Sequence, residues 1–92
     1  MNEFLLEVYV SRADAAAAAR GTRRTRLAAE QLTREGTPVR VVRSIFVPED
    51  ETCFLLCDAA SADAVLEAAR RAALPCERVS TVAEPTDDEQ EQ

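Results

Sequence analysis

The chain has 92 residues, 30% of them charged, a net charge of −6 and no histidine. That length suffices for one domain with one core, and every apolar run is broken well before the ~20 residues a membrane helix requires. Five acidic residues, Glu84, Asp87, Asp88, Glu89 and Glu91, lie together at the end of the sequence without a basic neighbour. The remainder is nearly neutral and does not suit a general phosphate-backbone binder, so no nucleic-acid partner is expected.

The N-terminus has no basic region leading into an apolar stretch, which together with the missing span predicts a cytoplasmic protein. Three cysteines are too few, and odd in number, for a disulfide framework; reduced thiols are expected. All basic residues are arginine, with no lysine, and alanine is abundant, a composition that suits a GC-rich bacterial genome.

Glu3 to Val10, rich in β-branched and aromatic residues, predicts the first strand. Ser11 followed by Asp14 resembles a capping box, and the run Ala15 to Ala19 has the highest helix propensity available. A long first helix is expected to reach Glu35, where Gly36 supplies a left-handed terminus and Pro38 prevents resumption. Val39 to Val47 and Thr52 to Asp58 predict two strands joined by the polar connection Pro48 to Glu51, hence an antiparallel hairpin. Ser61 is suited to cap a second helix whose residues Ala62, Val65, Leu66, Ala69, Ala72 and Ala73 recur at helical spacing. Cys76 to Val82 predicts the fourth strand. Residues 84–92 offer no apolar anchor and are expected to form a disordered acidic tail behind a domain spanning 1–83.

Two strand-helix-strand halves joined by a hairpin predict an α+β, ferredoxin-like βαββαβ fold: a four-stranded antiparallel sheet with both helices on one face. Pairing Val47 with Thr52 sets Val41, Ile45, Phe54 and Leu56 on one face and Val42, Phe46, Cys53, Leu55 and Cys57 on the other. Both faces are apolar, whereas a one-sided antiparallel sheet normally alternates apolar with polar. The uncovered face therefore needs a partner, and a homodimer is the simplest expectation.

Glu7 and Tyr9 alternate on the central first strand and are the candidate ligand-binding residues, a carboxylate and a phenol on one face. Cys53 and Cys57 share a face but lie ~13 Å apart at ~3.3 Å per residue, too far for one ion within a chain. Arg20, Arg23, Arg24 and Arg26 form a basic cluster on the first helix, expected to be a solvated face with intrahelical pairs such as Arg26 with Glu30 and Glu30 with Arg34. There is no glycine-rich phosphate loop, Ser-His-Asp set or Cys-x-x-Cys motif.

The segments Arg43-Ser44-Ile45-Phe46-Val47, Cys57-Asp58-Ala59-Ala60 and Arg70 to Val82 (RRAALPCERVSTV) resemble the small nickel-binding or nickel-responsive ferredoxin-like proteins, a family mostly catalogued as a domain of unknown function. The resemblance covers nearly the whole chain outside the acidic end, and it implies a ferredoxin-like fold, dimerisation and, in some members, nickel. The chain departs from the family in lacking histidine, in Ile45 and Cys57 where tyrosines are typical, and in Ala73 where the helix ends on glycine. Without imidazole, Glu7, Cys57 and Cys76 from two subunits are the candidate metal ligands, and no tight nickel site is expected. The expected function is that of a small non-enzymatic homodimeric protein binding a metal or small molecule. The alternative is a dimeric α+β barrel enzyme enclosing a small apolar substrate between sheet and helices.

Overall fold

The computed structural model describes residues 1–85. In chain order it contains β1 (Asn2–Tyr9), α1 (Ala15–Arg34), β2 (Val39–Val47), β3 (Thr52–Ala59), α2 (Ala62–Arg71) and β4 (Cys76–Val82). The four strands form one antiparallel sheet in the order β2-β3-β1-β4, with both helices on one face. This is the βαββαβ, ferredoxin-like arrangement that the element order predicts, with β1 and β3 central.

Alternation within the central strands builds the core. Phe4, Leu6 and Val8 of β1 and Cys53, Leu55, Cys57 and Ala59 of β3 are buried on the helix side, where they meet Val65, Ala68 and Ala69 of α2 and Ala28, Ala29 and Leu32 of α1. Leu6, Leu55 and Val65 are almost fully buried, each contributing about 1.5–3 kcal/mol by transfer from water. The buried stripe of α1 consists largely of small residues, Ala18, Gly21, Thr22, Thr25, Ala28 and Ala29, so the helix sits close to its neighbours. The Thr22 and Thr25 hydroxyls donate to the carbonyls of Ala18 and Gly21 at 2.9 and 2.8 Å, which lets them be buried without an unsatisfied donor. At Gly21 the helix comes close to the end of α2: a Cβ there would stand 2.9 Å from Leu74 Cδ1, and the Leu74 side chain would have to swing aside.

Both helix ends follow local chemistry, with two departures from expectation. The N-cap of α1 is Asp14, whose Oδ1 accepts from Ala17 N at 3.2 Å; Ser11 instead accepts from Ala13 N in the preceding turn. At the other end Gly36 has φ 102°, and the amides of Gly36 and Thr37 bond back to Thr33 and Leu32, the paired closure expected of a left-handed C-terminus. In α2, capped by Ser61, Leu66 is exposed and the buried stripe runs through Ala64, Val65, Ala68 and Ala69.

The hairpin pairs Val47 with Thr52 as expected, but a β-bulge between Val41 and Arg43 shifts the register. One extra residue reverses the alternation of the strand. Val41, expected beside Ile45, is consequently buried against the helices opposite Cys57.

Candidate functional site

The sheet face turned away from the helices carries the distinctive surface. The register stacks two rows across it: Ile45, Phe54, Glu7 and Arg78 in one, Arg43, Leu56, Leu5 and Ser80 in the other. Ile45, Phe54, Leu5 and Leu56 thus form an apolar strip between charged ends. Phe54, Leu56 and Leu5 are half-buried by their neighbours, while Ile45 is 43% exposed. Among the described residues of one chain nothing covers this strip.

Glu7 and Tyr9 both project from this face. Glu7 Oε2 stands 3.2 Å from Arg78 Nε, and the same nitrogen lies 3.2 Å from Ser80 Oγ. The Glu7 side chain remains 28% exposed and Tyr9 53% exposed. The pair therefore presents a carboxylate, already balanced by a guanidinium, and an open phenol beside the apolar strip. At the far corner Arg40 Nη2 pairs with Asp58 Oδ2 at 2.6 Å.

The candidate thiols lie elsewhere. Cys57 is buried on the helix side between Phe4 and Val41, and its thiol is pushed up to about 11, first by burial and then by the nearby charge of Asp58. Cys53 is buried on the same side, with its thiol raised by desolvation. Cys76 is half-buried on the edge strand β4, 3.5 Å from the Arg78 carbonyl, and burial raises it too. Within a chain, Glu7 and Cys57 occupy opposite faces of the sheet. The set Glu7, Cys57 and Cys76 is not brought together, and among the described residues no three Cys, Asp or Glu side chains are placed to hold a metal ion. Thiolate is the ligand form of cysteine, so a buried thiol titrating near 11 is poorly suited to nickel. Within one chain the described residues therefore offer that ion no assembled set of ligands.

The arginines of α1 have partners the sequence does not disclose. Arg24 Nε donates to the Ala72 carbonyl at the end of α2, and Arg26 Nη1 donates to the Val41 carbonyl at the bulge, both at 2.8 Å. Arg20 pairs with Asp14 at 3.6 Å. The expected pairs of Glu30 with Arg26 and Arg34 are not formed. Sequence reasoning misses these bonds because they span 48 and 15 residues and follow no periodic pattern. Alongside them, a groove of about 480 Å³ opens between α1 and the edge strand β2.

Among the described residues no helix is long and apolar enough to cross a membrane. No protein-family model matches the chain, and no curated protein matches it. The fold is similar to that in the crystal structure of SCO4226 from Streptomyces coelicolor A3(2), with a TM-score of 0.72 and 18% sequence identity over 91% of this chain and 99% of the other.

Proposed function

We propose that the chain is a small, non-enzymatic binding protein that homodimerises through the open sheet face and holds a small ligand beside Glu7 and Tyr9. Its architecture is akin to that of the nickel-binding ferredoxin-like family, without that family's imidazole ligands. The observation that carries this reading is the strip of Ile45, Phe54, Leu5 and Leu56, left uncovered by the chain's own helices. A contiguous apolar patch bordered by charge is characteristic of a protein contact, and an identical sheet offers a self-complementary partner under twofold symmetry.

Burial in such a pair would strengthen the attraction between Glu7 and Arg78 at a desolvation cost that their remaining hydrogen bonds must offset, leaving Tyr9 as an adaptable hydrogen-bonding group for the ligand. The enzymatic alternative lacks a supporting observation. Between sheet and helices the core leaves an enclosed cavity of only about 10 Å³ beside Cys53 and Leu55; the groove of about 280 Å³ at the end of β1, which Tyr9 helps to line, is open, and Glu7 lies on the other face. Native mass spectrometry of protein purified without added metal tests the proposal. The expected species is a dimer, with any retained small molecule lost on Glu7→Gln, Tyr9→Phe substitution; a bare monomer under the same conditions contradicts it.

A further inference from the structure

The open groove at the end of β1 lies between the first half of α1 and the Leu74-Pro75 segment that leads into β4. Val8, Val10 and Gly21 are buried at its base, with Leu74 half-buried beside them, while Arg20 and Arg24 are exposed at its edge. The two arginines stand one turn apart on the same face of α1, but they are committed differently. Arg20 Nη2 pairs with Asp14 Oδ2 at 3.6 Å, and Asp14 Oδ1 accepts from Ala17 N, so the acidic side chain of the lining is already matched. Arg24 is anchored through Nε, which donates to the Ala72 carbonyl at 2.8 Å. Its Nη2 stands 4.0 Å from the position a Cβ of Gly21 would take, and Leu74 Cδ1 stands 2.9 Å from that same position. A side chain at residue 21 would therefore fill the space between the guanidinium and the leucine. Both Nη groups of Arg24 keep their donors free of partners among the described residues.

We propose that this groove binds a small monocarboxylate with a short aliphatic chain, its carboxylate on the Nη edge of Arg24 and its chain against Val8, Val10 and Leu74. Charge selects the head group: two arginines against one aspartate leave the groove net positive on a chain of charge −6. A guanidinium offers a carboxylate a planar pair of N–H donors, and one already held through Nε gives up little freedom on binding. Volume selects the chain length, because about 280 Å³ lies just below the ~300–1,000 Å³ of sites for drug-sized ligands. The cavity of about 10 Å³ beneath shares Val8, Val10, Gly21 and Leu74 with the groove, so a swing of Leu74 extends the apolar slot toward Leu55. The groove sits on the helix side of the sheet, away from Glu7, and its occupancy is independent of the pairing of open sheet faces.

Amide chemical shifts of the full-length chain during titration with hexanoate, hexanol and hexylamine test this. Hexanoate at millimolar concentration should give saturable shifts at Val10, Ser11, Gly21, Arg24 and Leu74, and the alcohol and the amine should each bind about tenfold more weakly, the difference a charged hydrogen bond makes. Arg24→Gln, which removes the charge, should weaken hexanoate by about the same factor and leave the response to hexanol unchanged. The comparison of the three probes uses the unmodified chain, so it decides the question even where the variant is unfolded. The proposal is overturned by the absence of saturable shifts with hexanoate, by equal binding of hexanol, or by a folded Arg24→Gln chain that binds hexanoate as tightly as the unmodified one. Shifts centred on Leu5, Ile45 and Phe54 would place the ligand on the open sheet face and overturn it as well.

Discussion

Arg71 holds both carboxylate oxygens of Glu35, at 3.0 and 2.9 Å, and so fastens the end of α1 to the end of α2. Its Nε also donates to Glu67 Oε2 at 2.9 Å. Bonds from Arg70 and Arg71 hold the Glu67 carboxyl down at about 2, and the bond from Arg71 lowers Glu35. Both carboxylates titrate lower in the folded chain than in the unfolded one. Their stabilisation is fully present above the unfolded value, near 4.5, and is lost as pH falls toward about 2. Thermal melts across that interval should show the unmodified chain losing Tm more steeply than Glu35→Gln, Glu67→Gln. High salt should flatten the difference, because these groups are exposed. Equal slopes would show that the cluster contributes nothing to acid stability.

Ala73 has φ 54°, the left-handed position that ends α2, where Leu74 N bonds back to Ala69 at 2.9 Å. An L-residue with a Cβ is strained there by about 1 kcal/mol relative to glycine. Ala73→Gly is therefore expected to raise Tm by roughly 4–8 °C in a domain of this size. An unchanged or lower Tm would mean that the added freedom of the unfolded chain outweighs the relieved strain.

The thiols should separate by accessibility. Cys53 and Cys57 are buried in the core, and Cys76 is half-buried on an edge strand. Native alkylation at mildly alkaline pH should modify Cys76 first and leave Cys53 and Cys57 untouched until denaturant is added. Cys57→Ala should cost stability as a cavity-forming change, by about 1–2 kcal/mol, and should not alter ligand or metal retention. Native labelling of Cys57 would place it outside the core and reopen its use as a metal ligand.

Most of the architecture is legible in the sequence because each element carries its own local signal. The alternation in β1, the alanine run before Gly36 and the Ser61 cap place the strands and the helix starts within a residue or two of where they stand, while α2 stops at Arg71, short of the Ala72 and Ala73 expected on its stripe. The Val41–Arg43 bulge is illegible: an apolar pair at Val41 and Val42 fits either face, and only pairing with β3 decides which is buried. Asp14 and Ser11 are both good caps, so composition alone cannot assign the role between them. At the candidate site, period-two alternation correctly sets Glu7 and Tyr9 together on one face. It does not give the ion pair with Arg78, which depends on the register of β4 across a second irregularity between Glu7 and Val8. The bonds of Arg24 and Arg26 to distant carbonyls leave no trace in local spacing.

The central claim is that the face bearing Ile45, Phe54, Leu5 and Leu56 is covered by a second copy of the chain. Sedimentation equilibrium of the unmodified protein and of Ile45→Asp at micromolar concentration tests it most directly, since Ile45 is 43% exposed in the single chain and its substitution leaves the core intact. The account predicts twice the chain mass of 10.1 kDa for the unmodified protein, and the single-chain mass with an unchanged circular dichroism spectrum for Ile45→Asp. A stable monomer from the unmodified chain, or a dimer that survives Ile45→Asp, would contradict it.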